Sequence, residues 1–570
     1  MFFLLLPGWI LFWAPLLGAG EGTEEPPAVS LLLEFSLGKF RNFLLNETVP
    51  AEAVLRNIAS NVTVVLIQIH AHHQNVTVSF EKDPTPSNSG TGIDRGLVLV
   101  LRPEQRVCTW YLRAAGSNQV QSTAVSLPYT EKDPIPGACN LEFDLETDPN
   151  LYLDYNLAET HIIFAPSNLG YARGANPPPC DFQAGLDSRW RLSYDVYQYF
   201  LPENDLSEVT FLNHMRRMSE VQSIQAYGSK LMTLTSQDKT ELYFSSLPGQ
   251  GVIYNVIVRD PKWNTSAAYV PVHTYACSLS ALVNNCHTFR RLSTKIFFTS
   301  LALLGVFICF FGHRFWKTGL FFSGFIFTAF IFFIVITKTS ALSYDAVLGV
   351  TATVGIIGAL LLVGCWWRFA LEIPCMLIVG VVLGTLVASA LFFTPIGDYK
   401  VFQDNAVFWV TFCCVALVVP VIFVCCPRVL NILTCGVVGS YTVVLATACY
   451  IYTSLSYIGI DLLRRILNED FNKTYTSVPF QPNDIILLAV WTMLALGGIT
   501  LQLRRERHET PFPPHPYRQW KRERERRVTN VLDPSHHVPP LKERIHNKLS
   551  QIKDLFQKDQ AASESTPLLF

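Results

Sequence analysis

The stretch NVTVVLIQIHAHHQNVTVSF, residues 61–80, decides how the first half of the chain folds. Its apolar residues alternate. Val65, Ile67, Ile69 and Ala71 fall on one face of an extended strand, and Val64, Leu66, Gln68 and His70 on the other. A helix would repeat every three to four residues; here the period is two, over β-branched residues that favour strands. GLVLVLRPEQRVCTWYLRAA (96–115), STAVSLPYT (122–130) and GQGVIYNVIVRDP (249–261) read the same way. Broken by Pro, Gly and Asn at short spacing, these runs predict two antiparallel β-sandwiches, at 28–130 and 139–276. The turn-rich YTEKDPIPGACN (129–140) separates them. One helical insertion is expected in NDLSEVTFLNHMRRMSEVQ (204–222), with Asn204 or Asp205 as its N-cap.

The rest of the 570 residues obeys another rule. Half the chain is hydrophobic and only 16% is charged, against about a quarter in soluble domains. Apolar segments lie at 296–311, 318–337, 346–366, 371–393, 406–426, 429–452 and 485–503. Each approaches the ~20 residues that cross ~30 Å of hydrocarbon as a helix, so a seven-span bundle is expected over 296–503. The first is short unless it extends back to Leu292. Cys309–Arg314–Gly324, Cys365–Arg368–Gly380 and Cys425–Arg428–Gly439 recur in order, suggesting three similar helical hairpins and a solitary seventh span.

Three patterns orient the chain. Residues 1–20 are apolar and end in small residues, as a signal peptide does. Sequons at Asn46, Asn61, Asn75 and Asn264, with a fifth at Asn472, are candidate glycosylation sites. The turns after the first, third, fifth and seventh spans carry Arg or Lys, as cytosolic turns do. The other loops also hold charge, including Arg464 and Arg465. Together these predict an extracellular N-terminus, a cytosolic C-terminus and a multi-pass protein of the plasma membrane. Cys108, Cys139, Cys180, Cys277 and Cys286 are disulfide candidates, enough for two bridges with one thiol left over. The short Cys277–Cys286 separation suits a small loop, but sequence does not assign the pairs.

No Asp, Glu, Lys, Arg or His lies inside the seven apolar cores. Proton relays, voltage sensors and intramembrane hydrolases place ionisable groups there, so an intramembrane enzyme is not expected. Neither is a G-protein-coupled receptor: Asp-Arg-Tyr and Asn-Pro-x-x-Tyr are missing, and the outer loops lack cysteine. No phosphate loop, nucleophile–base set, cofactor motif or nucleic-acid signature stands out. His70, His72 and His73 could bind a metal, since alternate strand residues share a face, but a polar strand face beside a glycan is the plainer reading and no metal site is expected. SRWRLSYDVYQYF (188–200) reads either as a ligand surface or as sandwich core.

The tail, 504–570, is basic, rich in proline and expected to be largely disordered. Leu541, Ile545, Leu549, Ile552 and Phe556 make a basic amphipathic segment suited to anionic lipid or to a protein partner. The terminal ESTPLLF presents Glu564, Leu568 and Leu569 in the pattern of an acidic dileucine sorting signal. Its reader would be a clathrin adaptor, implying cycling through endosomes or lysosomes.

Longer words are more specific. LRPEQ, DPIPGACNLEFDL, NLGYARG, YDVYQYFLPENDL, SSLPGQGVIYNVIV, FFGHRFWK, NILTCGVVGSY and RRVTNVLDPS resemble the transmembrane 7 superfamily member 3 family, from about residue 32 to the C-terminus. The resemblance implies a multi-pass membrane protein tied to cell survival and to attenuation of endoplasmic-reticulum stress. It brings no catalytic residue, cofactor or ligand. The expected protein is therefore non-enzymatic and works through the bilayer and an unknown extracellular partner. A channel or uncharged-solute transporter, and a ligand-activated seven-span receptor of another type, remain as alternatives.

Overall fold

Strand Val62–Ala71, the opening stretch, is buried along its whole length, on both faces. This explains why its apolar run is almost unbroken: one face lines the core of its own sandwich, and the other meets a second sandwich. The computed structural model describes residues 31–116, 119–181, 187–279, 286, 291–369, 372–423, 425–507, 515–528 and 545–550. The expected signal peptide and the ESTPLLF segment lie outside the described residues.

The first sandwich contains β1 (Leu31–Phe35), β2 (Arg41–Leu45), β3 (Ala51–Leu55), β4 (Val62–Ala71), β5 (Val76–Ser79), β6 (Ser89–Gly92), β7 (Asp94–Val100), β8 (Cys108–Ala114) and β9 (Val120–Thr130). They form two sheets, ordered β1-β3-β8-β5-β6 and β2-β9-β4-β7. Pairing is antiparallel except between β1 and β3, which run parallel. Val65, Ile67 and Ile69 pack with Trp110 and Leu112 between the sheets.

The second sandwich follows with β10 (Leu151–Tyr155), β11 (Glu159–Phe164) and β12 (Ser193–Phe200), then helices α1 (Glu208–Met215) and α2 (Val221–Tyr227). Strands β13 (Ser229–Thr235), β14 (Glu241–Ser245), β15 (Val252–Asp260), β16 (Thr265–Ala268) and β17 (Val272–Thr274) complete it. Sheet β10-β11-β14 faces sheet β13-β12-β15-β16, to which β17 is also joined through β15. The helical insertion starts later than its sequence suggested. Ser207 is the N-cap residue of α1, and the Asp205 carboxylate accepts the Ser207 N–H. Tyr194 and Tyr197 of SRWRLSYDVYQYF are core residues, and Arg191 is locked to Asp260, so this segment builds the sandwich.

Among the described residues, seven helices are long and apolar enough to span a bilayer: α3 (Leu292–Phe311), α4 (Trp316–Thr339), α5 (Tyr344–Phe369), α6 (Glu372–Phe392), α7 (Asn405–Phe423), α8 (Pro427–Ala448) and α10 (Pro482–Arg505). A shorter helix, α9 (Tyr457–Leu467), sits between the last two, and α11 (Pro516–Val528) follows. The first span includes Leu292, and the sixth ends at Ala448, short of the apolar residues up to Tyr452. Helix α11 docks beneath α5: His515 Nε2 lies 2.6 Å from the Trp366 carbonyl, and the Arg368 guanidinium sits over the Tyr517 ring.

The hairpins suggested by the sequence do not close on themselves. The main packed pairs are instead α4 with α5, α6 with α7, and α8 with α3. The recurring glycines explain the choice of neighbour. Gly324 faces Ala359 and Leu362 on α5, Gly380 faces Pro420 on α7, and Gly439 faces Gly305 and Cys309 on α3. Each returning helix thus opens its small-residue face to the helix across from it, which allows close van der Waals packing. Helix α8 is the most buried span, and α10 packs over α8 and α3.

Candidate functional site

Two junctions gather the buried polar chemistry. The first joins the sandwiches. At the end of β4, His70 Nδ1 lies 2.7 Å from Asp94 Oδ1 on β7. The other carboxylate oxygen of Asp94 accepts the backbone N–H of His273 (3.0 Å) and faces its Nδ1 (2.6 Å), from β17 of the second sandwich. His273 Nε2 lies 3.0 Å from the His72 carbonyl, so both ring nitrogens of His273 face acceptors. Burial alone would raise the Asp94 carboxyl, but the charge and hydrogen bonds of His273 and His70 outweigh it and hold the group well below its usual range. His72 is pushed down to about 4, first by burial and then by the neighbouring His273 and His73.

Close approach makes this seam possible. A Cβ on Gly96 would meet Val270 of the second sandwich at 2.5 Å. Asn150 uses the space, accepting the Gly96 N–H at 2.7 Å and donating to its carbonyl at 3.1 Å. The three histidines of the opening stretch separate in function: His70 is tied to Asp94, His72 packs tilted against Phe211 and edge-on to Tyr275, and His73 is exposed. Among the described residues, no group of three or more His, Cys, Asp or Glu side chains is arranged to hold a metal ion.

The second junction ties the second sandwich to the bundle through the segment between α8 and α10. Tyr475 donates its N–H to the Tyr243 carbonyl and accepts the N–H of Ser245, both at 2.9 Å, extending sheet β10-β11-β14 by one short bridge. Arg464 on α9 donates to Ser245 Oγ (2.8 Å) and to the Leu157 carbonyl (2.7 Å) and pairs with Asp461. Asn204, in a left-handed conformation at φ 58°, accepts the Tyr452 N–H at 3.1 Å. Tyr452 and Tyr457 enter the same hydrophobic cluster as β14 and β15. Asp484 anchors the far end from the first turn of α10, accepting from Thr453 Oγ1 and Ser454 N–H, each at 2.7 Å.

Beneath this strap lies a cavity of about 60 Å³, lined by Phe402, Phe408, Asp461, Arg465, Asn472 and Thr474 among others. This is room for several waters. Arg465 stacks its guanidinium 3.6 Å from the Phe408 ring centre and donates to the Phe402 carbonyl. Burial lowers its pKa to about 10. Asp461 is raised to about 6 by burial, partly offset by Arg464. Nothing here forms a nucleophile–base pair; the arrangement fixes one body against another.

The remaining sequence candidates fall as follows. Asn46, Asn61, Asn75 and Asn264 are exposed. Asn472 is half-buried and lines the cavity, with its Oδ1 enclosed and Thr474 buried beside it. Cys139 pairs with Cys180 and Cys277 with Cys286, while Cys108 is a buried free thiol. Glu564, Leu568 and Leu569 lie outside the described residues. Sequence reading missed Asp94, His273, Asp461 and Tyr475, whose partners are remote in the chain. Arg464 and Arg465 gave one signal: they stand in a loop where the charge rule disfavours arginine.

Comparison with known proteins follows this geometry closely. Residues 31–129 match the TM7SF3-like, N-terminal immunoglobulin-like domain, residues 134–280 the TM7SF3-like, second immunoglobulin-like domain, and residues 298–503 the TM7S3/TM198-like domain. Transmembrane 7 superfamily member 3 of Mus musculus is 62% identical over 97% of this chain and 98% of its own length. This chain belongs to the transmembrane 7 superfamily member 3 family. The Rattus norvegicus member is likewise 62% identical over 97% of this chain and 98% of its own. The Homo sapiens member is 60% identical, covering 94% of each chain. The sandwiches described above are thus the two immunoglobulin-like domains of this family, carried on its seven-span bundle.

Proposed function

We propose that this chain is a non-enzymatic plasma-membrane glycoprotein, extracellular at its N-terminus and cytosolic at its C-terminus. It supports cell survival and protein homeostasis, attenuating endoplasmic-reticulum stress, by passing contacts made on its immunoglobulin-like domains to the bundle. One observation carries this reading: the Arg464–Ser245 and Tyr475–Tyr243 contacts make the domains and the bundle a single mechanical unit. The family resemblance supplies the survival role. The partner is an extracellular protein, and the tail adds adaptor-mediated sorting from the surface.

The test is rescue. Cells lacking the endogenous protein receive either the intact chain or an Arg464→Ala/Tyr475→Pro variant, and a stress reporter is read after calcium depletion of the reticulum. The intact chain lowers the reporter, whereas the variant reaches the surface and fails. Equal rescue by both overturns the coupling. Turnover of a lipid or peptide by the purified protein overturns its non-enzymatic character. For the tail, Leu568→Ala/Leu569→Ala raises surface level; unchanged surface staining removes the sorting signal.

A second reading, passage of an uncharged solute, is favoured by the repeated glycine-mediated pairs of α4–α5, α6–α7 and α8–α3. Liposome flux decides it.

A further inference from the structure

The repeat puts one cysteine near the α11-bearing end of each outer helix: Cys309 on α3, Cys365 on α5 and Cys425 just after α7. Their cover differs. Cys309 is buried, its thiol directed at the Gly436 and Leu494 carbonyls, because α10 closes over the first unit and brings Gly498 against it. Among the described residues, no span covers the other two cysteine positions as α10 covers Cys309; α11 reaches α5 through Trp366 and Arg368, and Cys365, Cys425 and Cys426 are exposed.

Depth and surroundings then matter. Cys425 and Cys426 stand between the end of α7 at Phe423 and the start of α8 at Pro427, followed directly by Arg428. Cys365 lies one turn before the end of α5, beside Trp367, which is exposed, and near Arg368. Arginine and tryptophan at a span end mark headgroup level. Above the vicinal thiols, the outer face of α7 exposes Val410, Leu417, Val418, Val421 and Ile422, an apolar stripe open to lipid.

We propose that Cys425 and Cys426, together with Cys365, are S-acylated by a long-chain acyl group drawn from an acyl-coenzyme A donor. The cysteine sulfur attacks the acyl carbonyl, the donor's carbon–sulfur bond breaks, and a thioester forms. The thiol proton ends on the departing coenzyme A, so there is no net oxidation or reduction. The chains on Cys425 and Cys426 lie along the α7 stripe and that on Cys365 along the exposed Ile357, Leu360 and Leu361 of α5, supplying the cover that α10 gives Cys309. Access to the donor rests on the cytosolic placement of this end, stated under the proposed function.

The experiment uses the full chain, expressed in cells with a C-terminal epitope. Free thiols are blocked with N-ethylmaleimide, thioesters are cleaved with neutral hydroxylamine, and the released thiols take a polyethylene-glycol maleimide that adds a fixed mass. Hydroxylamine-dependent increments are expected for the intact chain. Cys425→Ser/Cys426→Ser loses two and Cys365→Ser one. Cys413→Ser/Cys414→Ser, exposed but halfway along α7, loses none. Absence of any increment, persistence in the triple serine variant, or release by a phosphine reductant without hydroxylamine overturns the proposal. Epitope staining on intact cells separates the two failures: a surface epitope overturns the orientation and the acylation together, whereas a cytosolic epitope without increments overturns acylation only.

Discussion

Tyr475 and Phe244 are bridge partners, running parallel, although one belongs to the last inter-span segment and the other to the edge of an immunoglobulin-like domain. An edge strand left open is a liability; here the bundle covers it. Tyr475→Pro removes the N–H given to Tyr243, and Arg464→Ala removes the donor to Ser245 and Leu157. The arginine truncation also leaves the half-buried Asp461 without its cation, at a cost of about 1–2 kcal/mol. Hydrogen exchange of the full chain in detergent checks this: amides of residues 241–245 exchange faster in both variants, while those of β4 are unchanged. Unaltered exchange at the edge would refute the strap.

Asp94 holds the seam between the immunoglobulin-like domains. Asp94→Asn leaves His273 facing an amide in place of a carboxylate and lowers stability by about 3 kcal/mol. The measure is the unfolding midpoint of the full chain at neutral pH, together with trypsin cleavage at Lys132 in the linker, which should quicken. An unchanged midpoint and an unchanged cleavage rate would rule out the role.

His72 makes the same seam sensitive to acid. Its folded pKa is about 4 against an ordinary 6.5. As pH falls below 6.5 the unfolded chain takes the proton and the folded chain resists, so stability is lost progressively down to about pH 4. His72→Phe, filling the place beside Phe211 and Tyr275, removes that loss. Its melting temperature exceeds that of the native chain at pH 4.5, where the stability difference is roughly 2 kcal/mol, and nearly equals it at pH 7.5.

Asp461 acts with the opposite sign. Its folded pKa of about 6 lies above the ordinary 3.8, so its contribution is fully present below pH 3.8 and is lost as pH rises through 6. Asp461→Asn, which mimics the protonated group, flattens the stability profile between pH 4 and 6 and raises the melting temperature at pH 7. Because His72 and Asp461 work against each other in one window, single and double variants are needed to separate them. A double variant with the native pH profile would show that neither group titrates as placed.

The seven spans and the sandwich strands were legible because each obeys a local period: continuous apolar runs in one half, alternation in the other. Alternation along 61–80 separated Val65 from Leu66 but could not say what covers the second face, since that cover comes from residues far along the chain. Asn204 read as a helix cap because its neighbours are helix-like, yet its side-chain Oδ1 accepts the Tyr452 N–H. The glycines of the three hairpins were visible, but which helix each admits depends on packing that no single hairpin encodes. Disulfide pairing stayed open for the same reason.

Strand β4 is a party wall. Because one row of its residues lines each room, replacing Ile67 disturbs the first domain's interior and replacing Leu66 disturbs the shared one, though the two are adjacent. Unfolding of either domain therefore uncovers the Val64 and Leu66 row that both share, so calorimetry of the full chain is expected to show their transitions coupled.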